Sequence, residues 1–383
     1  MLEQPPLSLY VHVPWCIRKC PYCDFNSHAV KSEIPEQDYV NALCQDFDAE
    51  LARPGADKLP RIGSIFIGGG TPSLLSAAAY QDLLEHIDNK LGIAAGAEIT
   101  LEANPGTAEA QRFRDYRSSG INRLSIGIQS FNASHLNTLG RIHNGDEARR
   151  AIEYCVAAGF ENFNLDLMHG LPDQTLQEAM EDLEIARAFN PPHLSWYQLT
   201  IEPNTEFYSR PPPLPAEGIL NEIQEAGLEQ LKESGYQRYE VSAYCKPGKE
   251  SRHNLNYWLF GDYLGIGAGA HGKLTQANSD LIIRTRKKKQ PEHYLASEVS
   301  RTAETQAVDP EDRPLEFLLN GLRLSRGFSI ADFETRTGVT FSNIRKKVEY
   351  LVSQGLLCVD NSTVCATERG YRVLNSLLEE FID

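Results

Sequence analysis

The first 200 residues alternate between short apolar segments and segments with helical periodicity, and this alternation constrains the fold more than any other feature. Near-continuous apolar runs predict strands at 7–13, 62–67, 98–103, 123–128, 163–168 and 193–200. The intervening patterns predict helices at 39–52, 77–91, 108–119, 146–158 and 176–189. Buried strands separated by helices indicate a parallel sheet covered by helices.

Polar residues follow the C-terminal end of almost every predicted strand. This placement favours an α/β fold of the partial (β/α)6 barrel type over a doubly wound open sheet, because barrel proteins build their sites at that end. The glycines in Ile67-Gly-Gly-Gly-Thr-Pro-Ser73 allow close approach of the backbone to a ligand. The candidate binding residues at these strand ends and in the following loops are Gly69, Gly70, Thr71, Glu102, Gln129, Arg141 and Asp166.

The regular repeat ends near residue 200. A proline-rich spacer at 211–215 precedes another helix and strand, and from about residue 310 the pattern changes to three helices, two short strands and a last helix. This order is typical of a small winged-helix-like α+β domain. The sequence therefore predicts a barrel at 1–210, an extension at 211–309 and a C-terminal domain at 310–383.

Composition excludes several classes of protein. The net charge of -15 argues against nucleic-acid binding, which needs a basic surface. No apolar stretch approaches the roughly 18–20 residues of a membrane span, and no signal peptide is expected at the N-terminus. The eight cysteines lack the spacing of a disulfide scaffold, which indicates a reducing, cytoplasmic location.

Three cysteines follow the first predicted strand as C-x-x-x-C-x-x-C, at Cys16, Cys20 and Cys23. Three thiolates at this spacing can hold three corners of a four-iron cluster, and the fourth iron then has no protein ligand. A zinc site would need a further ligand, for which His28 is the nearby candidate. Three structural thiols are the remaining alternative.

These motifs resemble those of a known family. C-x-x-x-C-x-x-C with Gly-Gly-Gly-Thr-Pro is similar to the radical S-adenosylmethionine (SAM) superfamily. The segments Tyr-Val-His-Val-Pro-Trp-Cys, Gly-Ile-Gln-Ser-Phe, Gly-Arg-Ile-His and Asp-Leu-Met-His-Gly-Leu-Pro resemble, more narrowly, the oxygen-independent coproporphyrinogen III dehydrogenase family. His253-Asn-Leu-Asn-Tyr-Trp258 is similar to the heme-chaperone branch of that family. The resemblance extends from about residue 7 to the C-terminus.

The resemblance implies a [4Fe–4S] cluster held by the three cysteines and SAM bound at the free iron. By the same resemblance, Gly69, Gly70 and Thr71 meet the methionine amino end of SAM. Glu102 and Arg141 hold its charged methionine part.

Four further residues complete the SAM pocket implied by the resemblance. Asp166 binds the ribose, and Tyr22 lies against the adenine. Gln129 and Tyr10 fill the remaining walls.

Heme is the third implied cofactor, and its predicted binding residues are His253, Tyr257 and Trp258. Histidine often ligates heme iron, and aromatic side chains suit the faces of a porphyrin. A hydrogen-bonded structural histidine is the alternative that the residues alone favour. Tyr244, Cys245 and His271 are weaker candidate ligands. The expected partners are heme and heme-accepting apoproteins, such as respiratory or storage hemoproteins.

Two departures from the dehydrogenase pattern bear on function. Phe25 stands where that enzyme type has a further cysteine, and only nine residues precede Tyr10, where the enzyme has a long extension. Both departures favour a heme chaperone that transfers heme to acceptor proteins. A coproporphyrinogen III dehydrogenase, or another radical enzyme acting on a tetrapyrrole, is the alternative.

Overall fold

The computed structural model describes residues 1–31, 33–106, 109–297 and 299–382. Its main element is a sheet of twelve strands. In spatial order these are Thr302–Ala307, Leu281–Lys287, His271–Gln276, Asp262–Ile266, Leu7–Val13, Ile62–Gly69, Ile93–Ala103, Arg123–Gln129, Phe163–His169, His193–Gln198, Ala243–Cys245 and Gln237–Glu240.

The seven central strands, from Asp262–Ile266 to His193–Gln198, all pair in parallel. Antiparallel strands extend both edges of this parallel part. The strand order is linear, so the sheet does not close, and the predicted partial barrel is confirmed. All six predicted strands are present. The seventh, Asp262–Ile266, was not predicted, and it pairs with the first strand, Leu7–Val13.

The helices of this part of the chain run over Glu36–Leu51, Ala77–Lys90, Glu109–Ser118, Ala133–Thr138, Gly145–Ala157, Leu176–Ala188, Glu206–Ser209 and Glu217–Glu233. All five helices predicted between the strands are present, whereas the short helices Ala133–Thr138 and Glu206–Ser209 were not predicted. Capping boxes formed by Asn144 with Glu147 and by Thr175 with Glu178 fix the starts of two of these helices. The described part of the predicted helix at 108–119 is Glu109–Ser118, and Ala108 lies outside the described residues.

One apolar core fills the space between the sheet and these helices. On the central strands nearly every residue is buried, as in Arg123–Gln129, where all seven are. Leu124, Ile126 and Ile128 of that strand belong to this core, whereas its alternate residues Arg123, Ser125 and Gln129 are buried polar side chains on the other face of the sheet.

The C-terminal domain contains helices Arg313–Gly321, Ile330–Thr337 and Ser342–Ser353, followed by Glu368–Arg372 and Leu374–Glu379. A three-stranded sheet of Phe328–Ser329, Thr363–Ala366 and Leu357–Asp360 forms the wing. Its core includes Leu2, Phe260 and Ile282 from the rest of the chain. The winged-helix-like arrangement of helices and strands is therefore present and packs directly on the main sheet.

The extension contains helices Arg252–Trp258 and Pro291–Leu295. The basic run at 284–289 lies largely in strand Leu281–Lys287. Lys287 is fully buried and pairs with Asp46 and Glu50, while Arg284 pairs with Glu316. The predicted domain boundaries remain a prediction.

Within the ranges that the structure describes, none of the helices combines the length and the apolar character that crossing a membrane requires.

Candidate functional site

The loop that carries Cys16, Cys20 and Cys23, which we call the cysteine loop, follows the C-terminal end of strand Leu7–Val13. Two short strands, Trp15–Cys16 and His28–Ala29, pair in parallel and close the loop at its base. The amide of Gly70 donates to the Val13 carbonyl at 2.7 Å, and the amide of Thr71 donates to the Trp15 carbonyl at 2.7 Å. A Cβ on Gly70 would lie 2.5 Å from the Trp15 oxygen, so glycine is required for this backbone contact.

A cavity of about 430 Å3 opens beside this loop, and we call it the cysteine cavity. Eleven of the twelve residues predicted for the cluster and SAM line it: Cys16, Cys20, Tyr22, Cys23, Gly69, Gly70, Thr71, Glu102, Gln129, Arg141 and Asp166. They come from different strands and meet because the C-terminal ends of parallel strands share one edge of the sheet. Tyr10 is the exception.

The three cysteines are free thiols, as are the other five. Burial raises the pKa of Cys16 and of Cys23. A hydrogen bond with Ser27 opposes this shift at Cys23, because it stabilises the thiolate and lowers the pKa. No three Cys, His, Asp or Glu side chains of the described residues converge on a point where one metal ion could bind. A single zinc ion needs such convergence, whereas a four-iron cluster takes one cysteine per iron and spreads its ligands. The three cysteines line one cavity and can supply one thiolate each to three irons of a four-iron cluster.

Arg141 connects the cysteine loop to two strand ends. One guanidinium nitrogen lies 3.7 Å from Cys20 Sγ, and the other donates to Asn104 Oδ1 at 2.7 Å and to the Gly127 carbonyl at 2.9 Å. Asn104 in turn donates to Thr71 Oγ1 at 3.1 Å. Sequence reasoning did not select Asn104, although its position just after Glu102 at a strand end is the signal that could have found it.

Asp166 is held by one side chain of the neighbouring strand, Ser125, and by one of its own strand, Asn164. It accepts hydrogen bonds from Ser125 Oγ at 2.7 Å and from Asn164 Nδ2 at 2.9 Å. Ser125 and Asn164 were also missed. Both are polar residues inside otherwise apolar strands, at two-residue spacing from other site residues, and that alternation places them on the same face of the sheet.

Two polar atoms at this site are buried without a hydrogen-bond partner, Gln129 Oε1 and Arg141 Nε. Gln129 also has a positive φ of 61°, which is uncommon outside glycine. An unpaired buried polar group costs about 1–3 kcal/mol and usually has a reason. Polar atoms that line a cavity and have no hydrogen-bond partner in the protein are suited to bind a polar ligand such as SAM.

Glu102 is a buried carboxyl of the cysteine cavity with a raised pKa. Its pKa is raised to about 8, mainly by burial and secondarily by the nearby Asp166 carboxylate, while the Gly69 amide, which donates to it at 3.0 Å, opposes the shift. A cation placed beside Glu102 would favour the ionised form. The residue is therefore suited to bind an ammonium group.

The raised pKa of Glu102 predicts a pH-dependent stability. Between pH 4.5 and 8 the folded protein binds one more proton at Glu102 than the unfolded chain does, so unfolding becomes easier as the pH rises and the effect ends above pH 8. Across pH 6.5–8 we expect the free energy of unfolding of wild type to fall, relative to that of Glu102→Gln, by up to about 1.4 kcal/mol per pH unit. Urea unfolding of both cofactor-free proteins measures this difference.

The exposed Glu229, on helix Glu217–Glu233, provides the matched control for this measurement. Glu229→Gln should follow the wild-type curve at every pH. Parallel curves for wild type and Glu102→Gln would contradict the prediction, because the buried carboxyl would then titrate no differently in the folded and unfolded states.

Tyr22 joins the cysteine cavity to a small apolar cluster. Its ring lies 6.4 Å from that of Phe207, in a group that includes Leu139, Leu171 and Leu199. The ring therefore has one supported face and contributes another part of its surface to the cavity, as expected of a residue that packs against a planar base.

A second, larger cavity of about 640 Å3 adjoins the first, and we call it the tyrosine cavity. Its walls include Tyr10, Tyr257 and Tyr263, and it shares Gly69 and Glu102 with the cysteine cavity. Tyr10, predicted to complete the SAM pocket, is therefore placed in the neighbouring cavity. There its hydroxyl hydrogen-bonds His12 Nδ1 at 2.9 Å.

His253 lies on helix Arg252–Trp258 and is only 1 % exposed. Its ring stacks on Phe66 at 5.2 Å and meets Tyr257 edge-on at 4.8 Å. Nδ1 lies 3.4 Å from Ser64 Oγ, whereas Nε2 is buried without a partner. Burial lowers the His253 pKa to about 3, so the imidazole is neutral, which is the form that binds metals.

The three predicted heme residues do not share one surface. Tyr257 lines the tyrosine cavity, and His253 lies behind it. Trp258 lines neither of the two cavities and instead stacks with the Arg323 guanidinium at 4.4 Å, facing the C-terminal domain. His271 is exposed and lines the tyrosine cavity.

Comparisons with known proteins agree with this arrangement. Residues 10–186 match the model of the radical SAM superfamily, and residues 308–373 match the model of the HemN C-terminal domain. The chain is 52 % identical to "Heme chaperone HemW" of Escherichia coli, with 100 % of both chains covered. This chain belongs to the HemW family of radical SAM proteins. Membership of the superfamily implies a [4Fe–4S] cluster and SAM as cofactors.

Two further comparisons extend the result. The protein of the same name from Haemophilus influenzae is 51 % identical, over 100 % of this chain and 99 % of that protein. Among solved structures, coproporphyrinogen III oxidase (HemN) from Escherichia coli matches with a TM-score of 0.82 at 22 % identity, covering 99 % of this chain and 90 % of that one. This structural likeness establishes the fold alone.

Proposed function

We propose that this protein is a heme chaperone, which binds heme and transfers it to acceptor hemoproteins. The observation that carries the proposal is similarity at 51–52 % identity, over essentially the full length, to proteins named as heme chaperones. Respiratory and storage hemoproteins are the proposed acceptors. The eight free cysteines support a reducing, cytoplasmic location for this transfer.

The cysteine cavity is the proposed cofactor site. Cys16, Cys20 and Cys23 would ligate the [4Fe–4S] cluster, and the strand-end residues around them would bind SAM. When bound, the cluster and SAM would supply electron-transfer chemistry for reductive cleavage of the sulfonium carbon–sulfur bond. The chain itself provides charge complementarity and orientation, since Glu102 suits the amino group and Arg141 the carboxylate of the methionine part.

Asp166 is proposed to bind the ribose hydroxyls. Its hydrogen bonds from Ser125 and Asn164 fix the carboxylate in place before any ligand arrives. Gln129 offers its unpaired Oε1 to the same ligand, and Tyr22 offers a ring surface for the adenine. Groups held in position in this way lose little entropy on binding.

His253 is the proposed iron ligand for heme, with Tyr257 and Trp258 as aromatic neighbours. The unpaired and neutral Nε2 supports this assignment, because coordination would satisfy a nitrogen that is otherwise buried without a partner. Tyr10 and Tyr257 both contact the His253 ring and line the tyrosine cavity. Ligation from that cavity would therefore require movement of these rings.

One experiment separates the chaperone from the alternative dehydrogenase. The cluster-reconstituted protein is titrated anaerobically with heme and, separately, incubated with coproporphyrinogen III, SAM and a reductant. We expect stable heme binding and no protoporphyrinogen. Formation of protoporphyrinogen at a useful rate would defeat the chaperone proposal, as would the absence of heme binding.

A further inference from the structure

The tyrosine cavity is a second binding site next to the proposed SAM pocket. Its volume of about 640 Å3 falls within the range of roughly 300–1,000 Å3 typical of small-molecule pockets. It meets the cysteine cavity at Asp24, Phe25, Gly69 and Glu102, which line both. A ligand held here would lie beside SAM without occupying its place.

The walls of the tyrosine cavity suit a flat apolar ligand. Tyr257 and Tyr263 lie edge to face, with ring centres 4.5 Å apart, and both rings line the cavity. Phe25 is 61 % exposed at the junction of the two cavities. An exposed phenylalanine gains about 25 cal/mol for each Å2 that a ligand removes from water.

The charges at the same cavity suit an anionic ligand. Lys19 and Lys289 both line it, although the chain as a whole has a net charge of -15. Lys19 Nζ donates to the Phe25 carbonyl at 3.3 Å. Among the described residues, neither lysine forms an ion pair. Asp24 and Glu102 are the acidic residues of the lining, and Glu102 lies at the junction with the cysteine cavity, where it is proposed to pair with the amino group of SAM. Asp24 then opposes the two lysines.

We infer that the tyrosine cavity holds heme, with Lys19 and Lys289 binding its two propionate carboxylates and Phe25 covering part of one ring face. This inference rests on the proposed chaperone function and extends it to a place and an orientation. Heme combines a flat apolar macrocycle with two carboxylates on one edge, which matches aromatic walls with two unpaired ammonium groups. Charge-assisted hydrogen bonds from lysine to carboxylate fix such an edge.

The test compares heme with its dimethyl ester, which lacks the negative charges. Both are titrated, by Soret absorbance, into the full-length wild type, Lys19→Gln/Lys289→Gln and Lys232→Gln/Lys249→Gln. Lys232 and Lys249 are exposed and line neither cavity, so they form the matched control. We expect the first double variant to bind heme about tenfold more weakly, because exposed charge pairs contribute modestly, and to bind the ester like wild type.

The possible outcomes separate the inference from the function on which it rests. Equal heme affinity in wild type and the Lys19/Lys289 variant would overturn the inference, as would an equal loss for heme and ester. Failure of wild type to bind heme would instead overturn the chaperone function itself. Phe25→Ala should lower the affinity for both heme and the dimethyl ester, and Phe25→Tyr should keep the wild-type affinity for both. An unchanged affinity in Phe25→Ala would remove Phe25 from the site.

Discussion

Substitution of any one of Cys16, Cys20 and Cys23 by alanine is expected to abolish cluster binding. Each thiolate would hold a different iron. Loss of one thiolate therefore removes the protein ligand of one iron and leaves only two cysteines to hold the cluster. After anaerobic reconstitution we expect about four iron atoms per wild-type chain and close to none in each variant. Iron and sulfide analysis, together with the visible absorption of the cluster, measures the effect.

Cys44 provides the control for these variants, because it lies on helix Glu36–Leu51, packed against the main core. Cys44→Ala should retain the full iron content. Retention of the cluster in any of the three loop variants would contradict the assignment. Unfolding curves of the cofactor-free proteins test whether general misfolding causes the loss of iron. We expect the variants to unfold like wild type, since the loop cysteines contribute little to the core.

Substitution of His253 by alanine is expected to weaken heme binding by at least about tenfold, the scale seen when even a supporting group of a metal site is lost. The Soret band should also shift, because the iron loses an imidazole ligand. Free imidazole should partly restore the wild-type spectrum, since the deleted side chain leaves space for it. Heme titration with and without imidazole measures both effects.

His271→Ala serves as the matched variant, because His271 is the more accessible imidazole and lines the tyrosine cavity. It should keep the wild-type affinity and Soret position. The opposite pattern, with loss of heme binding in His271→Ala and unchanged binding in His253→Ala, would identify His271 as the iron ligand. His253 would then be a buried structural residue, held by its packing on Phe66.

Much of the cysteine cavity could be predicted from the sequence. Apolar runs identify buried strands, and the residue that follows each strand lies at a known end of a parallel sheet. Glu102, Gln129 and Asp166 are far apart in the chain, yet this rule alone brings them together. The supporting partners Asn104 and Ser125 were missed because a polar residue at a strand end does not reveal which neighbour it contacts.

The tyrosine cavity could not be predicted in this way. One of its walls is strand Asp262–Ile266, which pairs with Leu7–Val13 although more than 200 residues separate them. Local periodicity gives the type of an element and not its neighbour in the sheet. Tyr10, which the resemblance assigns to the SAM pocket, lines the tyrosine cavity together with Tyr257.

The sequence by itself determined the parallel α/β architecture, the cysteine loop and the family, because these depend on short-range patterns and contiguous motifs. Only the tertiary structure decided that His253 is buried behind Tyr257, that Trp258 faces Arg323, and that Lys19 and Lys289 line one cavity. Burial and cavity lining depend on which distant segments pack together, and packing is a property of the whole folded chain.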